Sequence, residues 1–338
     1  MLRKNITLTT IILIICFLCI GTHSEQNMII IDNDAGADDA MAIFLALLYE
    51  KYFDGPKVIG LTTVNGNTNE DNVSVNNQRI LKVARRQDVP IYRGSEASLV
   101  ITPYAGDYFG VDGLGDIGEE LKDLVEPRRE GAVTKLIELS KTHKGNLTVV
   151  TIGSLTNVAM AVKLDPNFLG RIKHLYIAAG HIQSEEIPEA EFNAHMDVEA
   201  YHIIAKNADP DKVTILPFSQ VMSSLNLTRQ WRENVLGAIP SEIMRMQNQY
   251  ERITLPKYEV WHALDPAMLA VVLKPDLVNE YKYSKNDIIL CGDNRGINTN
   301  TFVDKDDANV RVIYSVKTDE YKQFLFDVFN ADTEKVKN

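Results

Sequence analysis

The sequence predicts an α/β protein, a single domain with a mostly parallel central sheet flanked by helices. Three observations predict it. Short β-branched runs alternate with stretches of helical apolar spacing along most of the chain. Polar and glycine-rich turns repeatedly follow those runs, as at the carboxyl edge of an open parallel sheet. No low-complexity tract, Pro/Ser linker or composition break interrupts residues 25–338, so one domain accounts for the length.

The first element carries the chemistry. Ile29, Ile30 and Ile31 form a buried strand that runs straight into Asp32, Asn33 and Asp34. Gly36 follows, then Asp38 and Asp39, then an apolar helix pattern at Ala40, Met41, Ile43, Phe44, Leu47 and Leu48. Carboxylates packed this closely repel one another unless a cation or many hydrogen bonds compensate. Oxygen donors alone favour a hard ion, Ca²⁺ or Mg²⁺, over zinc. A helix N-terminus would welcome Asp38 and Asp39, but it does not explain Asp32 and Asp34 on the strand side. An EF-hand is excluded, since Gly36 stands fifth from Asp32 and the twelfth residue is Ile43.

The remaining elements follow in order. Residues 57–64 are a strand ending in Asn65, Gly66 and Asn67, residues 73–86 a helix, and residues 89–92 a short strand. A glycine-rich loop covers 109–115. Beyond it come a helix at 132–141, a strand at 147–152, a helix at 155–164 and a strand at 174–179. A long loop leads to Glu191, Phe192 and Asn193, then a helix at 198–207 and a strand at 213–217. Asp34, Asn67 and the turn at 151–153 all fall at strand ends, which places one site along that edge.

A formal charge of −11 argues against binding a nucleic-acid backbone. Residues 1–24 read as a signal peptide: Arg3 and Lys4, an apolar run at 11–20, and small residues before Glu25. The apolar run is short for a membrane span, so no stable membrane association is expected. Cys16 and Cys19 leave with that segment, and the mature chain 25–338 keeps Cys291 alone, a secreted protein without an internal disulfide. Sequons at Asn72, Asn146 and Asn226 make it a candidate glycoprotein.

The stretch D-N-D-A-G-A-D-D-A resembles the amino-terminal signature of the nucleoside hydrolases, the inosine–uridine-preferring family. Similar correspondences recur along the mature chain. They are Thr62 to Asn67 with Asn77, the loop Gly110, Asp112, Gly113, Leu114 and Gly115, and the block Gly153 to Ala159. Glu191, Phe192 and Asn193 with Asp197 and Glu199 follow, then Asp265, Pro266 and Ala267. The resemblance implies a Rossmann-like nucleoside hydrolase fold and a calcium-dependent nucleosidase that is a homo-oligomer, dimer or tetramer. It implies Asp34 as catalytic base and metal ligand, with Asp39, Asp265 and the Ile152 carbonyl completing the metal site. It implies Asp38, Asn67, Glu191 and Asn193 as binders of the ribose, and Asp32 as an outer support. His195, Asp197 and His202 form no recognised zinc spacing.

The departures fall on the base half of the site. Leu264 stands where the family often has a histidine, Glu185 replaces an asparagine, and Ala178, Ala179 and Gly180 replace M-G-G. Without that histidine, the base is expected to leave by stacking on Phe109, Tyr104 or Trp261, with solvent or His262 supplying the proton. Purines offer the larger face and the more basic N7, so purine nucleosides such as inosine are the expected substrates. Two other readings were weighed. A phosphohydrolase of the Asp-nucleophile type expects Thr or Val where Gly36 stands. A secreted nucleoside-binding protein without turnover would not need the base at Asp34.

Overall fold

The computed structural model describes residues 26–117 and 121–334. The signal peptide expected over residues 1–24 lies outside the described residues. The main sheet has nine strands. They are β1 (Met28–Asn33), β2 (Lys57–Thr63), β3 (Ile91–Tyr92), β4 (Leu147–Thr151), β5 (His174–Ala178) and β6 (Val213–Leu216), then β9 (Val278–Ile288), β10 (Asn298–Phe302) and β11 (Val310–Val316). A separate antiparallel pair joins β7 (Leu227–Thr228) to β8 (Val260–Trp261).

The strand order is β10-β9-β11-β6-β5-β4-β1-β2-β3. From β11 to β3 every neighbouring pair is parallel, as the alternating pattern predicts. Strands β9 and β10 are antiparallel, an edge that the sequence reading does not contain. The chain leaves β1 toward β2 and β3, then crosses back to place β4 on the other side of β1. That reversal is a topological switch point, where the strand ends open a crevice for a ligand.

Side chains of β1 alternate between two apolar layers. Ile29 and Ile31 pack with helix α1 (Ala37–Tyr52), helix α2 (Leu264–Leu273) and helix α3 (Thr318–Glu334). Ile30 faces the other layer, with Val158, Ala161, Tyr201 and Ile204. Burial on both faces explains why β1 reads as an unbroken Ile run rather than an alternating one. No helix among the described residues is long and apolar enough to cross a membrane.

Candidate active site

The site is built at the end of β1. Asn33 exchanges amide hydrogen bonds with Asn77, Nδ2 donating to Oδ1 at 3.1 Å and receiving the reverse at 2.7 Å. Asp32 Oδ1 accepts from Thr62 Oγ1 at 2.5 Å and from Asn157 Nδ2 at 2.8 Å. These bonds tie the strand end to β2 and to the helix after β4. Ala35 then takes a φ of +36°, a left-handed conformation that costs a non-glycine residue energy. Asn76 Nδ2 holds its carbonyl at 3.1 Å.

The turn passes into α1 through Gly36. Asp39 Oδ2 accepts from Gly36 N at 2.8 Å, and its Oδ1 from Asp34 N at 3.1 Å. The helix-capping reading is therefore right for Asp39, and it does not exhaust the residue. Asp34 Oδ2 accepts from the backbone N of Asn67 at 2.8 Å, and the Asn67 amide donates to both Asp34 and Asp39. Gly66 makes this approach possible: a Cβ there would stand 1.9 Å from Asp34 Oδ2. Gly66→Ala is accordingly expected to displace the Asp34 carboxylate and lower kcat/KM about 100-fold. A Tm close to that of the parent would show the loss to be local, and unchanged kinetics would separate Asp34 from the chemistry.

Asp265 is the second residue of α2, with Ala263 as a cap that makes no side-chain bond. The helix begins two residues before Pro266, so Asp265 lies inside its first turn and is not its N-cap. Its carboxylate is 2% exposed. Oxygens of Asp38, Asp39 and Asp265 lie within 4.8 Å of one another. Asp34 stands beside this trio rather than in it, sensed electrostatically by all three.

Burial dominates the electrostatics. It pushes Asp32, Asp34 and Asp38 up to about 7, and Asp39 and Asp265 well above the usual carboxylate range. Glu191 is raised for the same reason. Asp38 Oδ1 is buried without a hydrogen-bond partner. Carboxylates stacked this way are the donor set of a hard divalent cation, and the residues present fit one.

A cavity of about 480 Å³ opens onto the carboxylates. Asp38, Asn67, Ile152, Glu191, Asn193 and Asp265 line its polar side. Glu191 caps the helix Phe192–Met196, accepting from Asn193 N and Ala194 N, and also takes the N–H of Gly180 at 2.7 Å. Asn193 Nδ2 donates to the carbonyls of Ile152 at 3.1 Å and Ala178 at 2.9 Å. The carbonyl expected to face a metal thus already accepts one hydrogen bond. Phe109, Trp261, His262 and Leu264 also line the cavity, Phe109 beside Asn67 at Gly36.

Some expectations fail. Tyr104 is 87% exposed and does not line the cavity; Tyr108, four residues on, does. His202 Nδ1 lies 2.7 Å from Asp287 Oδ1, and Asp197 caps the helix Val198–Asn207. Sequence reasoning also missed His181, Phe218, Glu251 and Tyr258, all of which line the cavity. His181 was findable, since it follows the Gly180 turn at the end of β5. Burial holds its imidazole down to about 4, so it is neutral near pH 7.

The family model of the inosine-uridine preferring nucleoside hydrolases matches residues 29–323. The chain belongs to this family. It is 30% identical over 267 residues to the inosine-uridine preferring nucleoside hydrolase of Leishmania major, covering 74% of this chain and 80% of that one. It is 31% identical over 263 residues to a probable uridine nucleosidase 2 of Arabidopsis thaliana, covering 75% and 79%. The structure of a plant nucleoside hydrolase matches with a TM-score of 0.80 at 27% identity, over 90% of this chain and 99% of the other. This nucleoside hydrolase is therefore an N-ribosyl hydrolase of ribonucleosides, on a mostly parallel single-domain fold.

Proposed function

We propose that this nucleoside hydrolase is calcium-dependent, prefers purine nucleosides such as inosine, and acts outside the cell. The observation that carries the reading is the close-set carboxylate trio Asp38, Asp39 and Asp265 at a cavity that aromatic side chains also line. Asp39 and Asp265 would hold the ion, with Asp34, Asp38 and the Ile152 carbonyl beside them. The bound ion would supply positive charge that anchors the ribose diol and a water.

The chain's own groups do the rest. Asp34, fixed by Asn67 over Gly66, takes the proton from the attacking water. Glu191 and Asn193, locked in their helix turn, hold ribose hydroxyls on the polar side. The C–N bond breaks toward an oxocarbenium-like sugar, and the electron pair goes to the base nitrogen. Phe109 and Trp261 present faces to the base. Leu264 offers no proton, so the base leaves by its own basicity, with solvent or His262 protonating it. Burial lowers the His262 imidazole, which makes it a weak donor at neutral pH and favours bases with a basic N7.

Ribose release from inosine, adenosine and uridine, with calcium and after exhaustive chelation, tests the reading. The expected result is calcium-restored release with kcat/KM for inosine at least about tenfold above uridine. Comparable values for the two would refute the purine preference, and undiminished release after chelation would refute the metal. Export predicts a mature amino terminus at Glu25; a retained residue 1–24 segment would refute it. Light scattering of the purified protein reads the proposed dimer or tetramer.

A further inference from the structure

The apolar wall of the cavity stands on a charged foundation that the proposed chemistry leaves unused. Arg232 has no exposed surface and begins the π-helical turn Arg232–Leu236. Such turns recur at functional positions. Arg232 Nη2 lies 2.5 Å from Glu251 Oε2, and Nη1 donates to Asn248 Oδ1 at 2.9 Å. Glu251 Oε1 accepts from Trp261 Nε1 at 2.9 Å. The guanidinium carbon lies 5.8 Å from the centre of the Trp261 ring. Glu251 and Trp261 both line the cavity.

Stability does not account for this arrangement. Desolvation offsets most of the attraction in a buried ion pair, and apolar residues of similar volume commonly serve as well. What the pair does supply is orientation. The indole is tied at its N–H edge by Glu251, and Glu251 is itself held by a cation set near the ring. A ring with one orientation loses less freedom when a flat ligand stacks on it.

We propose that Arg232 and Glu251 are positioning residues, a buried clamp that fixes Trp261 as the platform on which the nucleobase stacks. This rests on the reading of Trp261 as part of the base-side wall. The clamp acts on substrate binding more than on bond cleavage, and it acts through the indole.

The paired variant R232M/E251L removes both charges together and leaves neither unpaired, so its Tm should stay close to the parent's. Its KM for inosine is expected to rise about tenfold with a smaller change in kcat. W261L should raise KM comparably, and adding R232M/E251L to it should add nothing, because the clamp has lost its object. E251Q keeps an acceptor for the indole and is expected to keep KM within about threefold of the parent. Additive effects in the cycle, or an unchanged KM in R232M/E251L, would overturn the clamp. In a W231F background Trp261 is the remaining tryptophan, so quenching by inosine reads stacking without turnover. Quenching in the parent that is lost in R232M/E251L supports the clamp even if no ribose is released, a result that would defeat the hydrolase reading alone. Ribose release without quenching would overturn the platform.

Discussion

Asp34→Ala is expected to lower kcat on inosine about 1000-fold while leaving the protein folded. Asp34 is fixed by Asn67 and lies against a glycine that admits no side chain, so no nearby group can move in to replace it. Its burial beside Asp38 and Asp39 is unfavourable without a cation, so alanine there removes repulsion as well as hydrogen bonds. The chelated variant should therefore melt within a few degrees of the chelated parent, or above it. Calcium should stabilise the variant less than the parent if Asp34 also ligates the ion. A kcat within about tenfold of the parent would place the base elsewhere, with Asp38 next in line.

The contrast between Asp34 and Glu251 shows what a sequence can disclose. The β1 turn was legible because strand, acids, glycine and helix are contiguous, and each obeys a local rule. Asn77 and Asn157 were legible only through the family resemblance, yet their bonds to Asn33 and Asp32 give each a physical purpose. Arg232 and Glu251 carry no such mark. A buried arginine looks like a surface one in sequence, and its partner Glu251 looks like an ordinary polar residue closing the helix Glu242–Tyr250. Tyr104 and Tyr108 cannot be told apart in sequence for a related reason, as a loop has no period to say which aromatic turns inward. The antiparallel edge escaped notice because β9 is largely exposed until Ser284, which erases the alternation that reveals a half-buried strand. Both halves of the site are assembled by tertiary contacts, but the members of the metal and ribose half sit in contiguous motifs and those of the base half do not.

The same carboxylates predict how stability responds to pH and metal. Burial raises Asp32, Asp34 and Asp38 from 3.8 to about 7 on folding, and raises Asp39 and Asp265 well above the usual carboxylate range. A raised carboxyl means that the folded, metal-free protein holds protons the unfolded chain has released. Its contribution to stability is complete below the unfolded value and is lost as pH climbs through the folded one. Chelated protein should therefore lose stability from about pH 4 to pH 7 through these groups. Calcium held there would bind the ionised forms and displace those protons, so its stabilising effect is expected to grow over the same interval. Other titrating groups are common to both samples and cancel when calcium and chelator are compared at one pH. The expected result is a calcium-induced rise in Tm that is small near pH 5 and larger by roughly 5 °C near pH 7.5. A rise that is constant across that range would mean the carboxylates are already ionised without metal. The electrostatic case for a cation at Asp38, Asp39 and Asp265 would then fail.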